Sequence, residues 1–398
     1  MNILKKIYCR AFQLGFKVAI PILPYREPQI LDGMEKIPKV LLGQNKDKVL
    51  IVTDAGISKI GLGDKLKLIL DDAGIKYEYF DETVANPTIA NVEKARKLYI
   101  SSGCKALIAL GGGSSMDCAK AVGARIAKPK QSIQKMRGIL KVRKRIPLLI
   151  AIPTTAGTGS ETTVAAVITD EKTRYKCPVN DFSLIPRYAV LDPTIAFSLP
   201  KSLTATTGMD ALTHAVEAYI GRSTTKNTRS KAEMAVKLIK ENLKVAYDDG
   251  YNEKARGNML KAAYYAGIAF TVSYVGYVHG VAHSLGGQYG TPHGLANAVI
   301  LPYVLEDYGS ACHKKLARLA RIADIADSSD DDAKAADKFI AWVKEMNASM
   351  NIPTKLMGIC DEDIAKMAKH ADKESNPLYP VPVLMDAKEL EKFYRMVM

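Results

Sequence analysis

Four strand-like runs in the first half of the chain each lead into a glycine-punctuated stretch, and this alternation restricts the fold more than any other feature. KVLIVTD (48–54) reads as a buried strand, and KIGLGDKLKLILDDAG (59–74) as a helix that stops at Gly74. KYEYFDE (76–82) and TIANVEKARKLYISSG (88–103) repeat the pair, CKALIAL (104–110) runs into GGGSSMDCAKAVGARIA, and PLLIAIPTT (147–155) runs into AGTGSET. Strands spaced by helices of this length need crossover connections, which gives parallel βαβ units in a mostly parallel sheet. Near DPTIAFSLPKS (192–202) the pattern changes, and beyond it almost only helical periodicity is found. At 398 residues the chain exceeds what one core usually supports, so two domains are expected. These are an α/β domain over residues 1–200, with 1–30 as an N-terminal arm, and an all-α domain over 201–398.

Four of the six histidines, with one aspartate, fall into two short segments. TGMDALTHAVEAY puts Asp210 and His214 one helical turn apart on one face. HGVAHSLGGQYGTPHGLANA supplies His279, His283 and His293. Glycines 286, 287 and 290 with Pro292 break this segment, so His279 and His283 are expected to close one helix and His293 to open the next. One carboxylate with two or three imidazoles is a ligand set for a divalent metal that keeps a position open. A lone Asp-x-x-x-His pair is more often a surface pair or a capped core histidine; two such clusters shift the balance to metal.

Gly111, Gly112, Gly113, Ser114 and Ser115 lie between a strand and a helix start, where unpaired main-chain N–H groups and the helix dipole attract a diphosphate. A tight structural turn is the competing explanation. The turn Thr154-Thr155-Ala156-Gly157-Thr158-Gly159-Ser160 also follows a strand. Two such turns at strand carboxyl ends favour a dinucleotide over a single phosphate. Asp54 closes the first strand, where a carboxylate can accept from an adenosine ribose and repel a 2′-phosphate, or can simply serve the turn into Ala55-Gly56.

Charge and cysteine usage exclude some functions. The net charge is +14, and residues 120–145 hold ten Lys or Arg and no acidic residue. That stretch lacks aromatic interleaving and a nucleic-acid motif, so a solvated basic face is expected rather than a nucleic-acid surface. No segment approaches the roughly 20 apolar residues of a membrane span. The opening MNILKKIYCRAFQLGFKVAIPILPYR is interrupted by Arg10, Gln13 and Lys17 and reads as a helix or arm packing on the body, with membrane-surface contact as the lesser option. The six cysteines are scattered, which suits reduced thiols and a cytoplasmic location; Cys312 beside His313 reads as an exposed helix position.

GGGSSMDCAK, IPTTAGTGSE, TGMDALTHAVEAY and HGVAHSLGG…TPHGLANAVILPYV, in this order and spacing, resemble the iron-containing (group III) alcohol dehydrogenase family. The resemblance runs from about residue 30 to the C-terminus. It implies an N-terminal dinucleotide-binding domain, an all-α metal-binding domain and homodimers. It implies NAD(H)- and divalent-metal-dependent hydride transfer between an alcohol and nicotinamide, with Fe2+ as the metal and Zn2+ possible. Carried over by motif, Asp210, His214, His279 and His293 are the metal ligands and His283 is a proton-relay group. Asp54 and Asn86 would contact the adenosine side of NAD. Gly112, Gly113 and Ser114 would hold the pyrophosphate, with Thr154, Thr155 and Thr158 along the cofactor path and Lys176 near its ribose or phosphates. Ala165 stands where some members acting on small hydroxylated substrates carry a polar side chain, which speaks against a diol-specific enzyme. The partners implied are a small alcohol or aldehyde, with no nucleic acid and no stable membrane insertion. Rival readings are a zinc polyol dehydrogenase of the glycerol type, a hydroxyacid-oxoacid transhydrogenase and, from a different class, a polyanion-binding scaffold.

Overall fold

Apolar residues that alternate between two covered faces make the central strands. In the computed structural model, which describes residues 1–173 and 175–398, Leu50, Val52, Leu107, Ala109, Leu149 and Ala151 enter one core, while Val49, Ile51, Ile108, Leu110, Ile150 and Ile152 enter the other. Both sets are buried, as a parallel sheet flanked by helices requires. The strands among the described residues are β1 (Gln29–Leu31), β2 (Lys48–Asp54), β3 (Lys76–Thr83), β4 (Ala106–Gly111), β5 (Gly138–Ile139), β6 (Leu148–Pro153), β7 (Ala165–Asp170), β8 (Tyr175–Asn180) and β9 (Tyr188–Val190). Six form one all-parallel sheet in the order β1-β9-β6-β4-β2-β3, with Leu50 opposite Leu107 and Leu107 opposite Leu149. A second sheet, β5-β8-β7, pairs β7 antiparallel to β8.

The helices of the first 200 residues are α1 (Ile3–Ala19), α2 (Ile37–Leu42), α3 (Ala55–Lys59), α4 (Asp64–Asp72), α5 (Ile89–Ser101), α6 (Gly113–Ala127) and α7 (Ile133–Met136). Of these, α5 and α6 cover one face of the large sheet and α2 and α4 the other. The remaining helices are α8 (Lys201–Ile220), α9 (Lys226–Asp248), α10 (Glu253–Ser273), α11 (Tyr277–Tyr289), α12 (His293–Tyr308), α13 (His313–Ile322), α14 (Asp332–Ser349), α15 (Asp361–Ser375) and α16 (Ala387–Val397). Fifteen of the twenty residues of α8 are buried, so this helix runs through the interior of its bundle.

The chain divides into an α/β unit, Pro24–Ser198, and a helical unit made of Leu199–Met398 together with Met1–Leu23. The expected division was 1–200, with 1–30 as an arm, and 201–398; in the structure α1 groups with the helical unit. Its attachments are local to that unit: Gln13 Nε2 donates to Tyr379 O at 2.7 Å, Arg10 donates to Val381 O and Pro382 O, and Lys5 pairs with Asp372.

The basic stretch 120–145 is not one solvated face. Lys120 is fully buried on α6 and donates to Ser160 O (2.7 Å), Thr163 Oγ1 (2.7 Å) and Ala165 O (2.9 Å); burial pushes its amino group down to about 8. Arg125 is also buried and pairs with Glu93. Cys312, expected to be exposed, is buried, and burial pushes its thiol up to about 12. All six cysteines are free thiols.

Candidate functional site

The histidine cluster begins with α8. Asp210 and His214 share one face of this buried helix, as their spacing predicts, and His214 stacks on Phe270 with ring centroids 4.1 Å apart. His279 and His283 lie in the first two turns of α11 and do not close it. The helix continues through Gly286 and Gly287 to Tyr289, and the break falls at Gly290, whose φ of 70° is left-handed. His293 is the first residue of α12, after Pro292 at the N-cap. Gly294 lets that helix end approach α8: a Cβ there would stand 2.5 Å from Thr206 O and 3.5 Å from Asp210 Cβ.

One ligand atom from each of Asp210, His214, His279 and His293 lies within 4.8 Å of all the others. Asp210 Oδ1 is 3.4 Å from His293 Nε2, 3.8 Å from His279 Nε2 and 3.9 Å from His214 Nδ1. Asp210, His214 and His279 are buried and His293 is partly open, so three ligands are sealed from water while one edge is not. Burial and the neighbouring imidazoles hold His279 well below the usual histidine range, keeping it neutral as a ligand must be. Its Nδ1 meets Glu217 Oε2 at 2.6 Å, which turns the Nε2 lone pair toward Asp210. That buried Nε2 has no hydrogen-bond partner, a loss of about 1–3 kcal/mol that a cation among the four groups would remove. The residues fit a divalent metal.

Two neighbours escaped the sequence reading. Glu217 accepts from Gly276 N and Val278 N, both at 2.8 Å, besides facing His279; burial pushes its carboxyl up to about 7 against these donors. A carboxylate behind a ligating imidazole fixes its tautomer and raises its basicity. Asn297, fully buried, donates to Asp210 Oδ1 at 2.7 Å and lies 3.1 Å from His293 Nε2. The signals were present: Glu217 follows His214 by three residues and Asn297 follows His293 by four, each on its ligand's helical face. His283 stands apart from the tight cluster, stacked against His293 at 5.1 Å and held by Glu374 Oε1 at 2.5 Å from its Nδ1.

Within the α/β unit, the glycine-rich turns meet at the carboxyl ends of β2, β4 and β6. Gly112 is the N-cap of α6 and supplies no side-chain cap, so the helix start presents bare N–H groups. Cβ positions built on Gly112 and Gly113 lie 3.7 Å from Thr155 Oγ1 and 3.6 Å from Thr158 Cγ2, so the two turns are adjacent. Ser114 occupies the first turn of α6, and Thr154 N donates to Gly111 O at 3.2 Å. Asp54 caps α3 through Ile57 N at 3.0 Å and accepts from Ser115 Oγ at 3.2 Å, so it serves its turn and also touches the glycine-rich loop. Asn86 follows β3 in left-handed backbone, φ 58°, and is exposed. A bridge between Thr88 and Thr169 sets this loop beside β7, where Thr169 pairs with Lys176 of β8. Asp54, Gly112, Gly113, Ser114, Thr154, Thr155 and Thr158 thus share the carboxyl ends of β2, β4 and β6, while Lys176 lies on the second sheet.

The family model described as "Iron-containing alcohol dehydrogenase" matches residues 31–193, and "Fe-containing alcohol dehydrogenase family, C-terminal" matches 204–398. The chain belongs to the iron-containing alcohol dehydrogenase family. Alcohol dehydrogenase 4 of Saccharomyces cerevisiae is 40% identical over 332 residues, covering 82% of this chain and 86% of that protein. NAD-dependent methanol dehydrogenase of Bacillus methanolicus is 38% identical over 336 residues, covering 83% and 88%. A solved alcohol dehydrogenase from Oenococcus oeni superposes with a TM-score of 0.89 at 34% identity, covering 94% of this chain and 100% of that one. The two-part fold of this family member, a parallel-sheet α/β unit and a helix-rich unit, is thus that of the iron-containing alcohol dehydrogenases.

Gly294 yields a direct test of the cluster's assembly. Gly294→Ala is expected to push α12 away from Thr206, to cost about 1–3 kcal/mol, and to lower metal content at equal protein concentration. Metal analysis with denaturant unfolding checks it; an alanine variant with full metal content would show that the close approach is not needed.

Proposed function

We propose that this family member is an NAD(H)- and divalent-metal-dependent alcohol dehydrogenase that reduces aldehydes or ketones in the reverse direction. The observation that carries it is the convergence of Asp210, His214, His279 and His293, with a buried, unpartnered imidazole nitrogen facing the carboxylate. These four would hold the cation; a hard carboxylate with three imidazoles suits Fe2+, the metal proposed, and Zn2+ as its alternative. When bound, the cation supplies Lewis acidity toward the substrate oxygen and the nicotinamide supplies the hydride acceptor.

The chain's own residues perform the rest. Gly112, Gly113 and Ser114 bind the pyrophosphate through main-chain N–H groups at the α6 start, with Thr154, Thr155 and Thr158 alongside. Asp54 and Asn86 receive the adenosine end, and Lys176 its ribose or phosphates. Glu217 fixes the His279 ring. His283, oriented by Glu374 at Nδ1, moves the proton between substrate oxygen and solvent through Nε2, a task suited to imidazole near neutral pH. A cytoplasmic homodimer completes the proposal; it rests on the family resemblance and on six free thiols, which fit a reducing compartment.

The deciding experiment is purification without oxygen, metal analysis, and an NADH-oxidation screen across short aldehydes and ketones. Stoichiometric iron with turnover supports the proposal. Turnover undiminished after complete metal removal would end it. Stripping the metal with a chelator is also expected to destabilise the helical unit, by about 2.7 kcal/mol if the free metal had stood about 100-fold above its Kd. A melting temperature indifferent to chelator and to added Fe2+ would contradict that.

A further inference from the structure

One feature of the helical unit is unused by this chemistry: the outward face of α1. The helix lies ahead of residue 31, where the family match begins. Cys9 and Gln13 face the body and are buried. On the other side, Ile3, Ile7, Leu14 and Val18 fall at offsets of four, eleven and fifteen residues and share one stripe, Leu4 lies beside it, and Ile22 continues it past the helix end. Their exposures run from 59% for Ile7 to 82% for Ile22, so this aliphatic stripe points into solvent while Phe16 packs edge-on against Tyr274. A contiguous apolar stripe of this kind marks an interaction surface.

Charge indicates what covers it. Residues 1–26 contain Lys5, Lys6, Arg10, Lys17 and Arg26 and no Asp or Glu. Lys315, which donates to Ile220 O at 2.9 Å, has its amino group held down to about 8, first by burial and then by the positive charges of Arg229, Lys17 and Arg222. The end of α1 therefore stands beside further cations. A trough of about 640 Å³ between α1 and residues 382–384 is lined by Ile7, Ala11 and Leu14 together with Lys6 and Arg10. Lys5 is matched by Asp372 and the amino terminus by Asp386 and Glu389, while Lys6, Arg10 and Lys17 flank the stripe along one side, so the apolar side chains sit beside an excess of cations and match a negatively charged lipid leaflet. A second copy of α1 docked on the stripe would instead bring like charges together. We propose that α1 lies flat on an anionic lipid surface, its apolar stripe among the acyl chains and its bordering cations on the headgroups.

The test is cosedimentation of the full chain with phosphatidylcholine vesicles and with vesicles containing phosphatidylglycerol, at low and high salt. Binding is expected only to the anionic vesicles, weakened by salt, and about tenfold weaker or more in the double variant Ile7→Glu/Leu14→Glu. Turnover equal to the parent's shows that the variant is folded. Should it fail to fold, Lys6→Glu/Lys17→Glu, which leaves the stripe intact, is expected to weaken binding to anionic vesicles in the same way. No binding to anionic vesicles at low salt, or binding unchanged in the folded variant, overturns the proposal. So does a smaller species for Ile7→Glu/Leu14→Glu in sedimentation velocity, because a second copy would then be what covers the stripe.

Discussion

Alanine at His279 is expected to strip the metal and, with it, turnover. His279 is the buried imidazole whose Nδ1 is committed to Glu217 and whose Nε2 meets no partner within the protein. Polarisation by a bound cation is worth several kcal/mol of barrier, so its loss predicts a fall in kcat/KM on the order of 10³-fold or more. Dinucleotide affinity, followed by NADH fluorescence, should change little, because the glycine-rich turns belong to the other unit. His293→Ala is expected to behave in the same direction. A His279→Ala protein with stoichiometric metal and normal turnover would remove the four-ligand centre from consideration.

Removing Glu217 should have the next largest effect, on stability as well as on metal. Glu217→Ala leaves Gly276 N, Val278 N and His279 Nδ1 facing a void. Three buried donors without an acceptor, at about 1–3 kcal/mol each, amount to a loss of roughly 3 kcal/mol or more for the helical unit. A lost partner behind a ligating histidine lowers metal affinity about 10–100-fold. Glu217→Gln keeps one acceptor oxygen and should fold while still binding metal more weakly. Denaturant unfolding of the alanine variant and metal competition on the glutamine variant separate the two consequences. Parent-like metal binding by the glutamine protein would mean that Glu217 serves the α10–α11 junction alone.

How much could be read from the sequence depended on how each residue meets water. β2, β4 and β6 were legible because their runs are long and largely apolar, and β3 because its aromatic residues Tyr77 and Tyr79 alternate with charged ones. β1 and β9 are three residues each, and β5 has two, too short to show a period. α1 was legible as a helix but not in its place, since its tie to the helical unit runs through Gln13 and Arg10 bonding to main-chain oxygens, and residue types do not report such bonds. Lys120 misled for the opposite reason: a lysine among lysines reads as surface, yet this one is enclosed by oxygens of the neighbouring turn. The cluster of Asp210, His214, His279 and His293 was legible because histidine is scarce and its spacing is helical. Glu217 and Asn297 were not, because acidic and amide residues are common on helices and become distinctive only once α8, α11 and α12 converge.

The cap that Asp54 places on α3 has a bearing on coenzyme engineering. With the adenosine ribose at Asp54, as proposed, a designer wishing to admit a phosphorylated ribose would first exchange this carboxylate for a small neutral residue. Its two oxygens also hold the Ile57 amide and the Ser115 hydroxyl, so such an exchange forfeits a helix start worth about 1 kcal/mol and frees a side chain beside the glycine loop. Serine or asparagine, which can still accept from that amide, is the better starting point for widening coenzyme choice than glycine or alanine.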